Sequence, residues 1–218
     1  MDLEMYTLNI TRKTAAIREL YLEEPYFSQS DYEGKRPASP SSPISEIIEN
    51  IPGVSAFKWN NSGWVVNAEK LKIVNGSFQN DKYTERAPYK HFDGMHILFS
   101  GINGTLENIL FLNDTLSAKL DISAKERSGF EVKKLQSDMR FTPDLMEFKN
   151  LDLQTNRSRL GNYYAMRYNK FNSDMGRFIS KVSLEADFKE TVLNSDDIAF
   201  FAPALKNWKR VFNIEGIA

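Results

Sequence analysis

The sequence predicts a mainly β protein: a long antiparallel meander curled into an open groove, a β-taco-like shape, with two short helices. Period-two alternation of apolar and polar side chains recurs along the chain, and turn-forming residues fall between the alternating stretches. The chain is also large enough to need a real core. Its 218 residues are 41% hydrophobic and 26% charged, a balance that favours folding over disorder.

The first third holds the main interruption. PASPSSP at 37–43 has too much proline and serine for a strand ladder, so 35–53 reads as an exposed loop followed by a short helix. Ile44, Ile47, Ile48 and Ile51 recur at helical spacing and stop at Pro52-Gly53. Beyond it, Met95, Ile97 and Phe99 share one face of a strand while His96, Leu98 and Ser100 take the other. The pattern returns in Leu116, Ala118, Leu120 and Ile122, in Phe130 and Val132, in Met139 and Phe141, and in Val182, Leu184, Ala186 and Phe188. Asn75-Gly76, Asn103-Gly104, Asn113-Asp114, Ser128-Gly129 and Thr142-Pro143-Asp144 read as the turns between strands. Near the carboxyl end, 195–208 reads as a helical insert with Ser195 or Asp196 as N-cap. Lys206, Lys209 and Arg210 crowd its far end, and Pro203 should kink or divide it.

Composition and motifs then exclude most chemistry. A formal net charge of -1 with scattered Lys and Arg is not the footprint of a nucleic-acid binder. Without cysteine there is no disulfide, thiolate zinc site or cysteine nucleophile. Gly101 and Gly104 read as a hairpin and lack the rest of a phosphate-cradling loop. The two histidines, His91 and His96, fall on opposite faces of a strand approach and read as ordinary imidazoles, not as a base or metal pair. The adjacent acids Glu23-Glu24 and Asp196-Asp197 do not converge as a catalytic pair needs to; the latter reads as charge at a helix start, worth roughly 0.3–1 kcal/mol. Catalytic residues, metal ligands and cofactors are therefore expected to be none.

Trp59 and Trp64 suggest a sugar-stacking platform or, more plainly, core packing; Tyr163, Tyr164, Tyr168 and Phe171 read as the buried face and edge of a strand. Asn9, Asn75, Asn103 and Asn113 head glycosylation-type triplets that turn chemistry explains equally. No apolar run of about 18 residues appears, and the opening MDLEMYTLNITRK has no signal-peptide pattern, so an envelope protein would be truncated here.

The amount of alternating apolar surface fits a closed core or a trough, which periodicity alone does not separate; a large open apolar face usually marks a binding surface. ISAKERSGFEVKKLQSDMRFTPDLMEFKNLDLQTNRSRL, at 122–160, resembles the TamB/AsmA-like envelope proteins of Bacteroidota-type bacteria, and SDDIAFFAPALKNWKR resembles their helical insert. Weaker similarity lies at 17–25 and 64–78. The resemblance implies that 1–218 is one β-groove segment of a longer periplasmic protein. That protein would be anchored in the inner membrane through a missing amino-terminal helix and would partner an outer-membrane barrel protein. It implies movement of phospholipid between the inner and outer membranes, or outer-membrane assembly, and no catalytic residue. On this reading Met95, Ile97, Phe99, Leu120, Ile122, Phe130, Val132, Met139 and Phe141 line the groove and meet phospholipid acyl chains. The competing reading is an extracellular β-sandwich binding module that uses Trp59 and Trp64 on a glycan or protein.

Overall fold

In a computed structural model, residues 1–30, 58–82, 86–169, 174 and 178–218 are described. The loop and helix expected over 35–53 lie outside them, as does Phe171. The described chain is mainly β, and its strands form one large open sheet that does not close on itself. They are β1 (Asp2–Asn9), β2 (Thr14–Glu23), β3 (Tyr26–Ser30), β4 (Val65–Asp81), β5 (His96–Leu112) and β6 (Thr115–Glu126). Then follow β7 (Glu131–Thr142), β8 (Leu145–Gln154), β9 (Arg159–Arg167), β10 (Ser183–Asn194) and β11 (Val211–Ile217). Two single helical turns accompany them, α1 (Phe178–Lys181) and α2 (Ser195–Ile198), with a 3-10 turn at Pro203–Leu205.

From β4 onward every strand pairs antiparallel with the next, the expected meander. The amino-terminal part differs. The β1–β2 hairpin joins β4 in parallel through β2, and β3 continues the same parallel pairing further along β4. Tight turns cannot make a parallel junction; the long connection before β4 allows it.

Two of the expected turns are not turns. Asn75-Gly76 lies inside β4 and Asn103-Gly104 inside β5. Asn75 has a left-handed backbone (φ 54°) where the β4–β5 register gains a residue, and Gly101 (φ 57°) does the same for β5. Residues that tolerate the left-handed region serve bulges as readily as turns. Asn108, Asn150 and Glu190 take similar conformations at further register shifts in β5, β8 and β10. Each bulge bends its strand and adds twist, so these positions give an open sheet its curl. Gly104 is confined for another reason: a Cβ there would come within 2.1 Å of the Asp121 carbonyl oxygen on β6. By contrast, Asn113, Gly129 and Asp144 do mark hairpin turns, after β5, β6 and β7.

From β4 to β10 the register puts most of the apolar alternation on one side, with Ser137 and Asn162 as polar interruptions. Leu71 pairs with Leu106, Leu106 with Leu120, Leu120 with Ser137, and Ala118 with Met139, which pairs in turn with Phe148. Phe148 then opposes Tyr164, and Tyr164 opposes Ala186. Ala118, Leu120 and Met139 are the buried centre, packed by Leu106, Ile109, Leu116, Ile122, Leu135, Phe141 and Phe148 from that face. The other face carries Lys70, Lys119, Asp138 and Lys149 in the intervening positions. A sandwich would set two sheets face to face. The described strands make a single sheet, so the alternative architecture is not the one adopted.

Candidate functional site: an apolar groove and the insert that closes one end

Cross-strand pairing assembles the groove-lining set read from the sequence. Phe99 pairs with Phe78 and Glu126, Ile97 with Asn80, Val132 with Ala124, and Ile122 with Leu135; Met139 and Phe141 lie on β7 opposite Ala118 and Leu116. Leu120 and Met139 are buried, whereas Ile97, Phe99, Ile122, Phe130, Val132 and Phe141 are half-buried. Met95 is the outlier. It precedes β5 and is exposed; its N–H donates to Asp93 Oδ1 at 3.1 Å and its carbonyl accepts from the Lys82 N–H at 2.8 Å.

The groove ends differ. Ile97, Phe99, Phe130 and Val132 lie toward the end where β6 turns into β7 and β8 into β9. There the insert folds over the apolar face. Asn194, not Ser195 or Asp196, caps α2 by accepting the Asp196 N–H at 2.9 Å. The helix lasts one turn. Pro203 then opens a separate 3-10 turn, so the expected division at proline is realised and a helix spanning 195–208 is not. The insert closes on its own base, where the Ser195 N–H donates to the Arg210 carbonyl and the Arg210 N–H to Ser195 Oγ, both at 2.9 Å.

Three anchors hold it down. Phe200 and Phe201 pack edge-on against Phe130 with ring centroids 5.6 and 5.0 Å apart, and Phe201 also meets Phe92 at 5.0 Å. The Phe92 N–H donates to the Phe200 carbonyl at 3.0 Å. Asp197 is the polar anchor. Its Oδ2 accepts from the Thr155 hydroxyl and from the Arg157 N–H at 2.9 Å, both in the β8–β9 turn. Asp197 is thus a buried fastener across 40 residues of sequence, more than a charge at a helix start. Asp196 has the lesser role, pairing with exposed Arg157.

Beneath the insert lies an apolar cavity of about 390 Å³, lined by Phe130, Phe148, Leu153, Leu160, Tyr164 and Phe201 among others. Burial raises the Tyr164 hydroxyl pKa above its ordinary value. On the insert's other side a cleft of about 520 Å³, its wall mostly apolar, has Lys90, His91, Arg157, Asp196 and Lys206 along it. Asp197 lines both. Two buried carboxylate oxygens, Asp197 Oδ1 and Glu126 Oε1, have no hydrogen-bond partner among the described residues. Alternation signals the apolar lining, but nothing local in the sequence announced this cavity: Thr155 and Asp197 meet only through the fold.

The remaining sequence candidates scatter. His96 Nδ1 lies 3.2 Å from Asp81 Oδ1 on the polar face, while His91 stacks on Tyr89 with ring centroids 4.9 Å apart. Among the described residues no three His, Asp or Glu side chains gather to hold a metal, and no helix is long and apolar enough to cross a membrane. Trp59 and Trp64 flank a small loop that Asn60 ties by two hydrogen bonds to the Trp64 backbone, and Trp59 is 38% exposed. The tyrosine cluster splits: Tyr164 faces the cavity, Tyr163 donates to Glu147 at 3.2 Å on the opposite face, and Tyr168 is buried, its hydroxyl pushed up to about 12 by desolvation and by Asp144.

Below the insert's rim, Arg86 grips Asp93 with two hydrogen bonds of 2.7 and 2.9 Å and stacks over Tyr89 at 3.7 Å. That guanidinium, helped by the Tyr89 and Met95 N–H groups, outweighs burial and holds the Asp93 carboxyl far below the usual range. No protein-family model, no curated protein and no solved structure matches the chain.

Proposed function

We propose that this chain is a non-enzymatic groove segment of a TamB/AsmA-like envelope protein. On this reading it conducts phospholipid between the inner and outer membranes or supports outer-membrane assembly. It would work in the periplasm as part of a longer protein held at the inner membrane, with an outer-membrane barrel as partner. The supporting observation is the apolar face that crosses the central strands of an open sheet while the reverse face carries charged side chains. Acyl chains need such a shielded track, since burial stabilises each methylene by about 0.8 kcal/mol. A wet outer face keeps the segment compatible with an aqueous compartment.

The test is photocrosslinking from Phe99, Leu120 or Val132, each replaced in turn by a photoreactive amino acid, in the intact parent protein, with protease resistance followed in the same samples. Phospholipid adducts at these positions are expected. A protease-resistant protein that never labels lipid from any of the three would remove the conduit reading.

A further inference from the structure

We infer that the cavity beneath the insert is a site for a single-chain amphiphile carrying a hydroxyl next to a phosphate, the chemistry of a lysophospholipid. The inference deepens the groove reading and rests on it. Three features converge. The cavity, about 390 Å³, is of ligand-pocket size and almost wholly apolar, with Leu153, Leu160 and Phe201 in its wall, so it suits one alkyl chain. Its one buried acceptor without a partner among the described residues is Asp197 Oδ1, on a side chain only 5% exposed. A buried carboxylate oxygen demands a donor, and a glycerol hydroxyl supplies one.

Asp197 also lines the cleft on the insert's other side. That cleft brings together Lys90, Lys206 and Arg157, the last paired with Asp196; neither lysine has an ion-pair partner among the described residues. A ligand with its chain in the cavity and its hydroxyl on Asp197 would extend a phosphate toward those cations. Charge-assisted contacts favour that arrangement.

Calorimetric titration below the critical micelle concentration separates the parts, using three probes with a tetradecyl-length chain: a lysophosphatidylethanolamine, a monoacylglycerol and an alkyl phosphate. The lysophospholipid should bind at least about tenfold more tightly than either of the others. Lys90→Glu with Lys206→Glu, both at exposed positions, should erase its advantage over the monoacylglycerol and leave monoacylglycerol binding unchanged. Asp197→Asn should erase its advantage over the alkyl phosphate. Because Asp197 also fastens the insert, Leu153→Trp provides a second check by filling the cavity, and should abolish binding of all three. Equal affinities for the three probes, binding indifferent to Leu153→Trp, or no binding at all would overturn the site. Adducts at Phe99 and Leu120 without cavity binding would leave the groove standing alone. Cavity binding without adducts would instead defeat the conduit.

Discussion

The middle of the sheet and its β1 edge use the same alternating pattern and reach opposite burial. On β6 and β7, Ala118, Leu120 and Met139 are 5–7% exposed; on β1, Leu3, Met5 and Leu8 face the same side yet remain 46%, 41% and 53% exposed. The difference lies in neighbours. A residue on β6 has apolar partners on both flanking strands, whereas β1 is an edge with one neighbouring strand among the described residues. Alternation therefore fixes which way a side chain points, and position in the sheet fixes how much water it loses.

The largest effect that sharpens this contrast is a charge placed on matched positions. Leu120→Asp should cost more than about 4 kcal/mol, through lost packing and a carboxylate among apolar side chains, a large share of a typical domain's stability. Met5→Asp should cost less than about 1 kcal/mol because water still reaches it. Urea unfolding midpoints read both; equal losses would mean the edge is covered in solution.

Glycines give the next largest contrast. Both Gly104 (φ 149°) and Gly216 (φ 125°) occupy backbone that other residues resist, but a Cβ at Gly104 also strikes the β6 backbone while one at Gly216 meets nothing within 4 Å. Gly104→Ala should cost about 2–4 kcal/mol and Gly216→Ala about 1 kcal/mol, the strain alone. Hydrogen exchange should show the loss at Gly104 as faster exchange along β5 and β6.

The insert supplies the third contrast, between adjacent carboxylates. Asp197→Ala strands the Arg157 N–H, leaves the Thr155 hydroxyl its longer bond to the Ser158 carbonyl and should cost about 2 kcal/mol, while Asp196→Ala removes a half-exposed ion pair and should cost about 0.5 kcal/mol. Thermal denaturation decides it, and the order is the expected result.

Sequence reading recovered β6 and β7 because turn and alternation agree there: Asn113, Gly129 and Asp144 bound runs whose periodicity restarts. It failed at Asn75-Gly76 and Asn103-Gly104, where turn-type residues make a bulge and a close strand contact within unbroken strands. The parallel junction of β2 with β4 was illegible, since pairing across a long connection leaves no local mark. Of the nine residues expected to line a groove, seven share one face of the ladder, while Met95 and Phe130 lie just before β5 and β7. The cavity was not legible, because its roof depends on Asp197 reaching Thr155 and Phe201 reaching Phe92.

The smallest effect concerns the Arg86–Asp93 clasp beside the groove mouth, set against the exposed Arg18–Glu4 pair on the edge hairpin. Both look like single ion pairs, but Asp93 is 3% exposed and accepts four hydrogen bonds, two from Arg86 and one each from the Tyr89 and Met95 N–H groups. Its folded-state pKa is depressed, so the unfolded chain takes up the proton first as pH falls. The stabilisation is complete above the ordinary carboxylate value of about 3.9 and drains away as the solution is acidified toward the folded value. Asp93→Asn should therefore lower stability by about 1–2 kcal/mol at neutral pH, with the gap to the parent narrowing below about pH 4. Glu4→Gln should produce a change near zero at any pH, since solvent screens an exposed pair. Unfolding curves at stepped pH would show it, and a gap at Asp93 that persists undiminished into acid would mean that packing by the Asp93 side chain, and not its charge, holds the clasp.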